Sequence, residues 1–324
     1  LNLFIASMLT LVLADNYLIL FVGWEGVGLA SYLLIGFWNH NPAYASAANK
    51  AFIVNRVGDF GFLLGIAGVL WAFGTLDYAT VFANATDRVG GGQVVEIFAG
   101  YPWSVATLIC ICLFIGAMGK SAQLGLHTWL PDAMEGPTPA SALIHAATMV
   151  AAGTVLLTQL EPLLRGATGA RILLGLSVSV TMVLAAALAL LQADLKRLLA
   201  WSTVSQVAIM LSPFALTNPA GTAHGAVGAG LGHMYGHALF KACLFLCVGI
   251  IDHRAGTRDL TKLSGGWKAF PVVAVCATIA AASMAGIPPL AGFFAKFYVF
   301  AAAIKAARAA QAQAVQARYK AERE

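Results

Sequence analysis

Residues 116–149 read GAMGKSAQLGLHTWLPDAMEGPTPASALIHAATM. An apolar run that begins at Trp103 arrives at a lysine, Lys120, and then gives way to glycine, proline and acidic residues. A second apolar run restarts at Pro139 and carries His145 within it. In a bilayer an interrupted helix frees backbone groups that hydrocarbon cannot satisfy, so interruptions occur where protein or a water-filled cavity encloses them. A lysine at such a place costs roughly 2.5–3.5 kcal/mol on insertion scales and as a rule is functional and paired. Lys120 and His145 are therefore read as members of a proton path through a membrane.

Composition supports that setting. Of 324 residues, 60% are hydrophobic and only 10% charged, where a soluble domain carries about a quarter charged residues. The chain is expected to be an all-α polytopic membrane protein in contact with the lipid bilayer. Its net charge of +5 bears on topology, and no motif directs it to nucleic acid. The first residue already lies inside an apolar run, with no methionine and no signal peptide before it, so the chain reads as a fragment of a longer protein. Cys110, Cys112, Cys243, Cys247 and Cys276 all fall in apolar spans and are read as small buried hydrophobes, with no metal site expected.

Working outward, apolar windows of membrane-spanning length cover 1–13 (partial), 17–37, 51–73, 103–119, 139–160, 172–191, 198–215, 227–251 and 272–303, about nine spans. The last is interrupted by Gly286-Ile287-Pro288-Pro289, and 76–101, with glycines at 90–92, reads as a loop. Placing 39–50, 192–197 and 252–271 on the cytoplasmic side collects Lys50, Lys196, Arg197, Arg254, Arg258, Lys262 and Lys268. The opposite loops hold Asp77, Asp87 and Glu96 with Arg88 alone, a positive-inside pattern. Two segments run against it: 161–171, with Arg165 and Arg171 against Glu161, and the basic Ala-rich tail 301–324. That tail reads either as a lateral surface helix or as a non-native continuation. Two interrupted helices in corresponding positions, each with a nearby lysine, are the sign of an inverted repeat. The expected organisation is a first half over 1–160, a second over 161–303 and a tail over 304–324.

Several further residues carry chemistry. Glu25, in FVGWEGVGLASYLLIGF, must be protonated, paired or wet. Asp59 stands three residues after Arg56, a spacing that serves a local ion pair as well as a functional role. In HMYGHALFK, His233, His237 and Lys241 recur every four residues and form a polar stripe on one helix face. Histidine titrates near neutrality and a desolvated lysine can release its proton, so the stripe suits a relay. Lys296 follows the second interruption and either sits midway or snorkels to the surface. His127 and His224 are expected to be solvated, Asp132 and Glu135 to fix a loop, and Asp194, Lys196 and Arg197 to form an ordinary turn. No nucleotide loop or nucleophile elbow is present.

The stretches ADNYLILFVGWEGVGLASYLLIGFW, KAFIVNRVGDFGFLLGI, LPDAMEGPTPASALIHAATM, QADLKRLLAWSTVSQ, HMYGHALFKACLFL and AGIPPLAGFFAK resemble the proton-antiporter-like membrane subunits of respiratory complex I, closest to the L subunit of NADH:quinone oxidoreductase. The resemblance covers most of residues 1–300 and implies an antiporter-like fold in an energy-transducing membrane. It also implies that Glu25 and Lys120 form a coupled pair, that His145, His237, Lys241 and Lys296 lie on a central hydrophilic axis, and that proton translocation is driven by quinone reduction elsewhere. NADH, FMN, iron–sulfur clusters and quinone would bind partner subunits of the membrane and peripheral arms, with no cofactor on this chain. The family's L subunit is longer, with further spans. GIIDHRAGTRDLTKLSGG looks more like the large subunit of Mrp-type sodium/proton antiporters, and Phe297 stands where L-like subunits carry an acid, as in N-like ones. Two different functions would fit the same resemblance: an Mrp-type antiporter component, and the membrane subunit of a bicarbonate-uptake complex.

Overall fold

A computed structural model describes residues 1–85, 94–98, 101–146, 148–217 and 224–321. Asp87, Arg88 and the glycines at 90–92, with Glu322, Arg323 and Glu324 of the tail, lie outside the described residues, as do the side chains of Glu96, His224 and Lys320. The first helices are α1 (Asn2–Val12), α2 (Tyr17–Ile35), α3 (Pro42–Phe73) and the short α4 (Tyr78–Ala83). Strands β1 (Val94–Phe98) and β2 (Tyr101–Ser104) form an antiparallel hairpin, with Val94 opposite Ser104. Next come α5 (Val105–Lys120), α6 (Thr138–Ala146), α7 (Ala152–Gly166), α8 (Thr168–Leu190), α9 (Leu195–Ala215) and α10 (His224–Ala255). The chain closes with the short α11 (Gly266–Ala269), then α12 (Pro271–Ala285) and α13 (Ala291–Ala321).

Six helical segments are long and apolar enough to cross a membrane: Tyr17–Ile35, Pro42–Phe73, Thr138–Gly166, Thr168–Leu190, Leu195–Ala215 and Val227–Ala255. The apolar helices α1, α5 and α12 are shorter, at 11, 16 and 15 residues. At about 1.5 Å per residue none of those three reaches across a hydrocarbon core of about 30 Å unaided. The sequence reading of about nine spans, one of them partial and one interrupted, thus meets six segments of full spanning length and three shorter apolar helices among the described residues. Three expectations change. The segment 76–101 holds a helix and a hairpin strand as well as loop, a small β element on a fold that is otherwise helical. The apolar run 139–160 is itself interrupted, because α6 stops at Ala146 and helix resumes through Met149–Ala151 into α7. The tail is no separate element, since α13 runs unbroken from the Gly-Pro interruption to Ala321.

Loops assigned to one side do meet. Tyr17 N–H donates to Leu76 O and Tyr78 N–H to Asp15 O, while Leu195 N–H donates to Arg258 O and Leu260 N–H to Ala193 O. The two basic residues of 161–171 are both engaged: Arg165 pairs with Glu161 one turn back at 2.5 Å, and Arg171 donates to Thr217 O. Outward faces carry Leu18, Val22, Leu29, Ile53, Val57, Phe60, Ile172, Leu176 and Val183, all exposed. Polar side chains such as Asn55, Gln123, Thr154, His237 and Lys241 are buried instead. This distribution places lipid outside and polar groups in protected positions.

Close approach of α3 and α5 places the first part of the site. Gly58, Gly61 and Gly65 of α3 face Gly119, Ile115 and Leu113 of α5. A Cβ on Gly65 would stand 2.5 Å from Leu113 Cγ and 2.9 Å from its backbone nitrogen. Small residues at a membrane helix interface allow this approach. Gly65→Val is therefore expected to destabilise the protein by about 1–3 kcal/mol through overpacking. Thermal unfolding in detergent checks this, with Gly228→Ala as the control because no atom lies within 4 Å of that site.

Candidate functional site

The first interruption is satisfied from within the protein. Beyond Lys120, the last residue of α5, Ser121 N–H donates to Ala117 O and Gln123 N–H to Met118 O. Ser121 Oγ donates to Val150 O at 2.8 Å and Trp129 Nε1 donates to Gly119 O at 2.9 Å. Thr181 Oγ1 accepts from Leu124 N–H at 3.0 Å. The segment thus crosses the protein interior with its backbone bonded, and Lys120 emerges where the negative end of a helix favours a cation.

Around Lys120 lies a cluster of charges. Its Nζ is 3.9 Å from Asp59 Oδ2, and Arg56 Nη1 is 3.6 Å from the same oxygen. Trp24 Nε1 donates to the other oxygen, Asp59 Oδ1, at 2.6 Å. Glu25 is ion-paired with Arg56. The implied pairing of Glu25 with Lys120 is therefore indirect here: Arg56 and Asp59 stand between them, and Asp59 serves both a local pair and the lysine. Lys120 is 1% exposed and its Nζ has no hydrogen-bond partner among the described residues. Gly28 makes room for it, since a Cβ there would lie 2.6 Å from that Nζ.

The second cluster gathers on α6, α9 and α10. His145 is fully buried near the end of α6, its ring 5.6 Å from that of Phe245 and 6.5 Å from that of Trp129. Neither of its ring nitrogens has a partner among the described residues. Trp129, bonded beside Lys120 and facing His145, joins the two clusters. The interruption after α6 presents Ala146 O to His237 Nδ1 at 2.8 Å. A carbonyl only accepts, so His237 carries its proton on Nδ1 and leaves Nε2 free. His233 Nε2 meets Gln206 Oε1 at 3.1 Å, and Lys241 Nζ donates to Leu199 O at 2.9 Å and Ser202 Oγ at 2.5 Å. The stripe read from the sequence is thus one buried face of α10 laid against α9.

Lys296 does not snorkel outward in this arrangement. Its Nζ turns back across the second interruption to Met284 O at 2.6 Å, one of the carbonyls left free where α12 ends. Two readings change. His127, expected to be solvated, is half-buried with its ring 5.7 Å from that of Trp201. Lys196, expected in an ordinary turn, is 4% exposed and points its Nζ toward Gly136 O at 3.4 Å. Asp132 does hold its loop, through an ion pair with Lys50 at 2.6 Å. Sequence reasoning missed Lys196, Ser202, Gln206, Trp129 and Gly28. Of these, only the spacing of 196, 199, 202 and 206 along one helix face offered a signal.

The fold and this buried ionisable line define an antiporter-like membrane protein. Residues 14–317 match the family described as NADH:quinone oxidoreductase/Mrp antiporter, TM, and the chain belongs to that family. It is 46% identical over 91% of its length to NADH-quinone oxidoreductase subunit L of Campylobacter jejuni, covering 46% of that protein. It is likewise 46% identical to NADH-ubiquinone oxidoreductase chain 5 of Triticum aestivum, over 91% of this chain and 42% of that one. Among solved structures, the Mrp complex from Dietzia sp. superposes with a TM-score of 0.81 at 36% identity, over 93% of this chain and 31% of the matched one. The chain spans less than half the length of these relatives.

The shared carboxylate makes a stability test. Removing one member of a buried charge pair costs about 3–5 kcal/mol, because the other is left uncompensated. Asp59→Ala leaves buried Lys120 without its carboxylate, while Arg56 keeps Glu25, and is expected to fall in that range. Lys50→Ala breaks the exposed pair with Asp132 and is expected to cost under about 1 kcal/mol. Paired unfolding curves of the two variants measure the difference.

Proposed function

We propose that this chain is the proton-conducting core of a membrane-arm subunit of NADH:quinone oxidoreductase, residing in an energy-transducing membrane. The observation that carries it is the series of ionisable side chains Glu25, Asp59, Lys120, His145, Lys241, His237, His233 and Lys296, brought to successive helices around three interruptions. The names of the relatives support the assignment to that enzyme. On this reading 1–160 and 161–303 are two antiporter-like halves, each with an interrupted helix beside a lysine, and the tail continues the last helix as far as Ala321. NADH, FMN, iron–sulfur clusters and quinone belong to partner subunits, and this chain's own work is to move charge.

The arrangement of charges around Lys120 supports reading it as a control element. Asp59 stabilises the ammonium of Lys120 while Glu25 holds Arg56. When Glu25 releases Arg56, the guanidinium competes for Asp59, and Lys120 loses part of its compensation. Its proton then moves toward His145, whose unprotonated ring nitrogen receives it, and onward to Lys241, His237 and His233. Lys296, parked on the carbonyls of α12, forms the far end.

A second reading is a cation/proton antiporter component without a redox partner. The superposition on the Mrp complex at 36% identity favours it over a bicarbonate-uptake subunit. Native membrane vesicles separate pump from antiporter. With NADH as fuel, Lys120→Ala and Lys241→Ala are each expected to abolish proton uptake while peripheral NADH oxidation partly persists. Equal pumping by wild type and both variants would sink the proton-path assignment. Proton exchange driven by sodium or potassium, with no response to NADH, would select the antiporter reading.

A further inference from the structure

A cavity of about 520 Å³ opens between the loops around Trp38 and Tyr44, the start of α6, the start of α9 and the end of α10. Its walls carry Glu135, Asp194, Asp252 and Asp259 against Arg258 and Lys196. Two of the four carboxylates are engaged: Asp194 pairs with Arg258 at 3.1 Å, and Asp259 accepts from the Thr261 hydroxyl at 2.7 Å and meets Lys262 at 3.6 Å. Glu135 and Asp252 have no ion-pair partner among the described residues, so the mouth keeps an excess of negative charge. These loops are the ones the charge pattern assigns to the cytoplasmic side. Lys196, at 4% exposure, is the one charged wall residue that is buried, among the described residues.

From that lysine one face of α9 leads directly into the axis. Leu199, Ser202 and Gln206 follow at helical spacing, and they contact Lys241, Lys241 and His233 in turn. Six residues of helix separate Lys196 from Ser202, a rise of about 9 Å along α9. His145 lies within electrostatic reach of both Lys196 and Lys241.

Resting on the proton-path reading above, we propose that this vestibule is the proton port of the second half and that Lys196 is its relay residue. A proton from vestibule water binds Nζ of neutral Lys196, and one proton of the ammonium so formed passes inward to Lys241, so charge is conserved at each transfer. Negative mouth charge raises the local proton concentration, and the buried floor confines its exit to the α9 face.

The test uses the assembled protein in native vesicles. Lys196→Met and Lys196→Arg are both expected to slow proton movement tenfold or more, because methionine carries no proton and arginine does not release one. Lys196→His is expected to restore most of the rate. Full activity of Lys196→Arg would show a fixed charge to be enough and overturn the relay. Wild-type rates in all three variants, with Lys120→Ala inactive, would overturn the port and leave the path intact. Wild-type rates in Lys120→Ala as well would remove the underlying reading instead. Should Lys196→Met fail to accumulate, Thr257→Cys, on the vestibule wall, replaces it. An impermeant cationic thiol reagent added from the loop side is expected to slow that variant tenfold, and no change would overturn the port.

Discussion

Within a bilayer a backbone group without a partner costs several kcal/mol, and every interruption in this chain is shaped by that constraint. The helices stop in three places inside the apolar sequence, after Lys120, after Ala146 and after Ala285. At each stop the freed groups are met from within the protein, by tight turns, by Ser121 and Trp129, by His237 and by Lys296. The same stops supply what buried cations need. A helix that ends exposes carbonyls, and a carbonyl is an acceptor an ammonium or imidazole can use without a second charge. Ionisable residues and broken helices therefore occur together for one reason: each solves the other's solvation problem.

Packing sets the spacing of the resulting line. Glycines on α3 bring α5 close enough for Lys120 to share Asp59 with Arg56, and the absence of a side chain at Gly28 leaves the volume its ammonium occupies. Bulkier residues at those positions would hold the helices apart and convert the shared carboxylate into two separate sites. The outward faces need no such precision, because lipid conforms to exposed Leu, Ile and Phe. Precision is concentrated on the few faces where charge has to be compensated.

What was legible in the sequence follows the range of the forces involved. His233, His237 and Lys241 were readable because their meaning lies in the period of a single helix. Lys120 was readable because its interruption is written in adjacent Gly and Pro. The interruption after His145 was not, since HAATMVAAG has no breaking residue and the partner of the Ala146 carbonyl, His237, lies on the distant α10. Lys196 was also missed, because a lysine after Asp194 looks like any capped helix start. Its burial comes from Gly136 and from the loop at 256–260, some sixty residues away on either side in sequence. Local patterns identified elements and their charges, while the partners of those charges needed the tertiary arrangement.

The helix that ties these observations together is α9, which carries no histidine and whose composition does not set it apart. Leu199 O accepts from the Thr203 hydroxyl at 2.8 Å, from the Ser202 hydroxyl at 3.0 Å and from Lys241 Nζ at 2.9 Å. Side-chain hydroxyls that bond back to a helix carbonyl tilt it outward and bend the helix slightly. Here the same carbonyl also accepts from a lysine on the neighbouring helix. Lys241 is consequently held by neutral acceptors and no carboxylate. The Ser and Thr of WSTVSQ thus do for Lys241 what Asp59 does for Lys120, with weaker partners. The contrast leaves Lys120 beside a charge without a hydrogen bond of its own, and Lys241 hydrogen-bonded twice without a carboxylate.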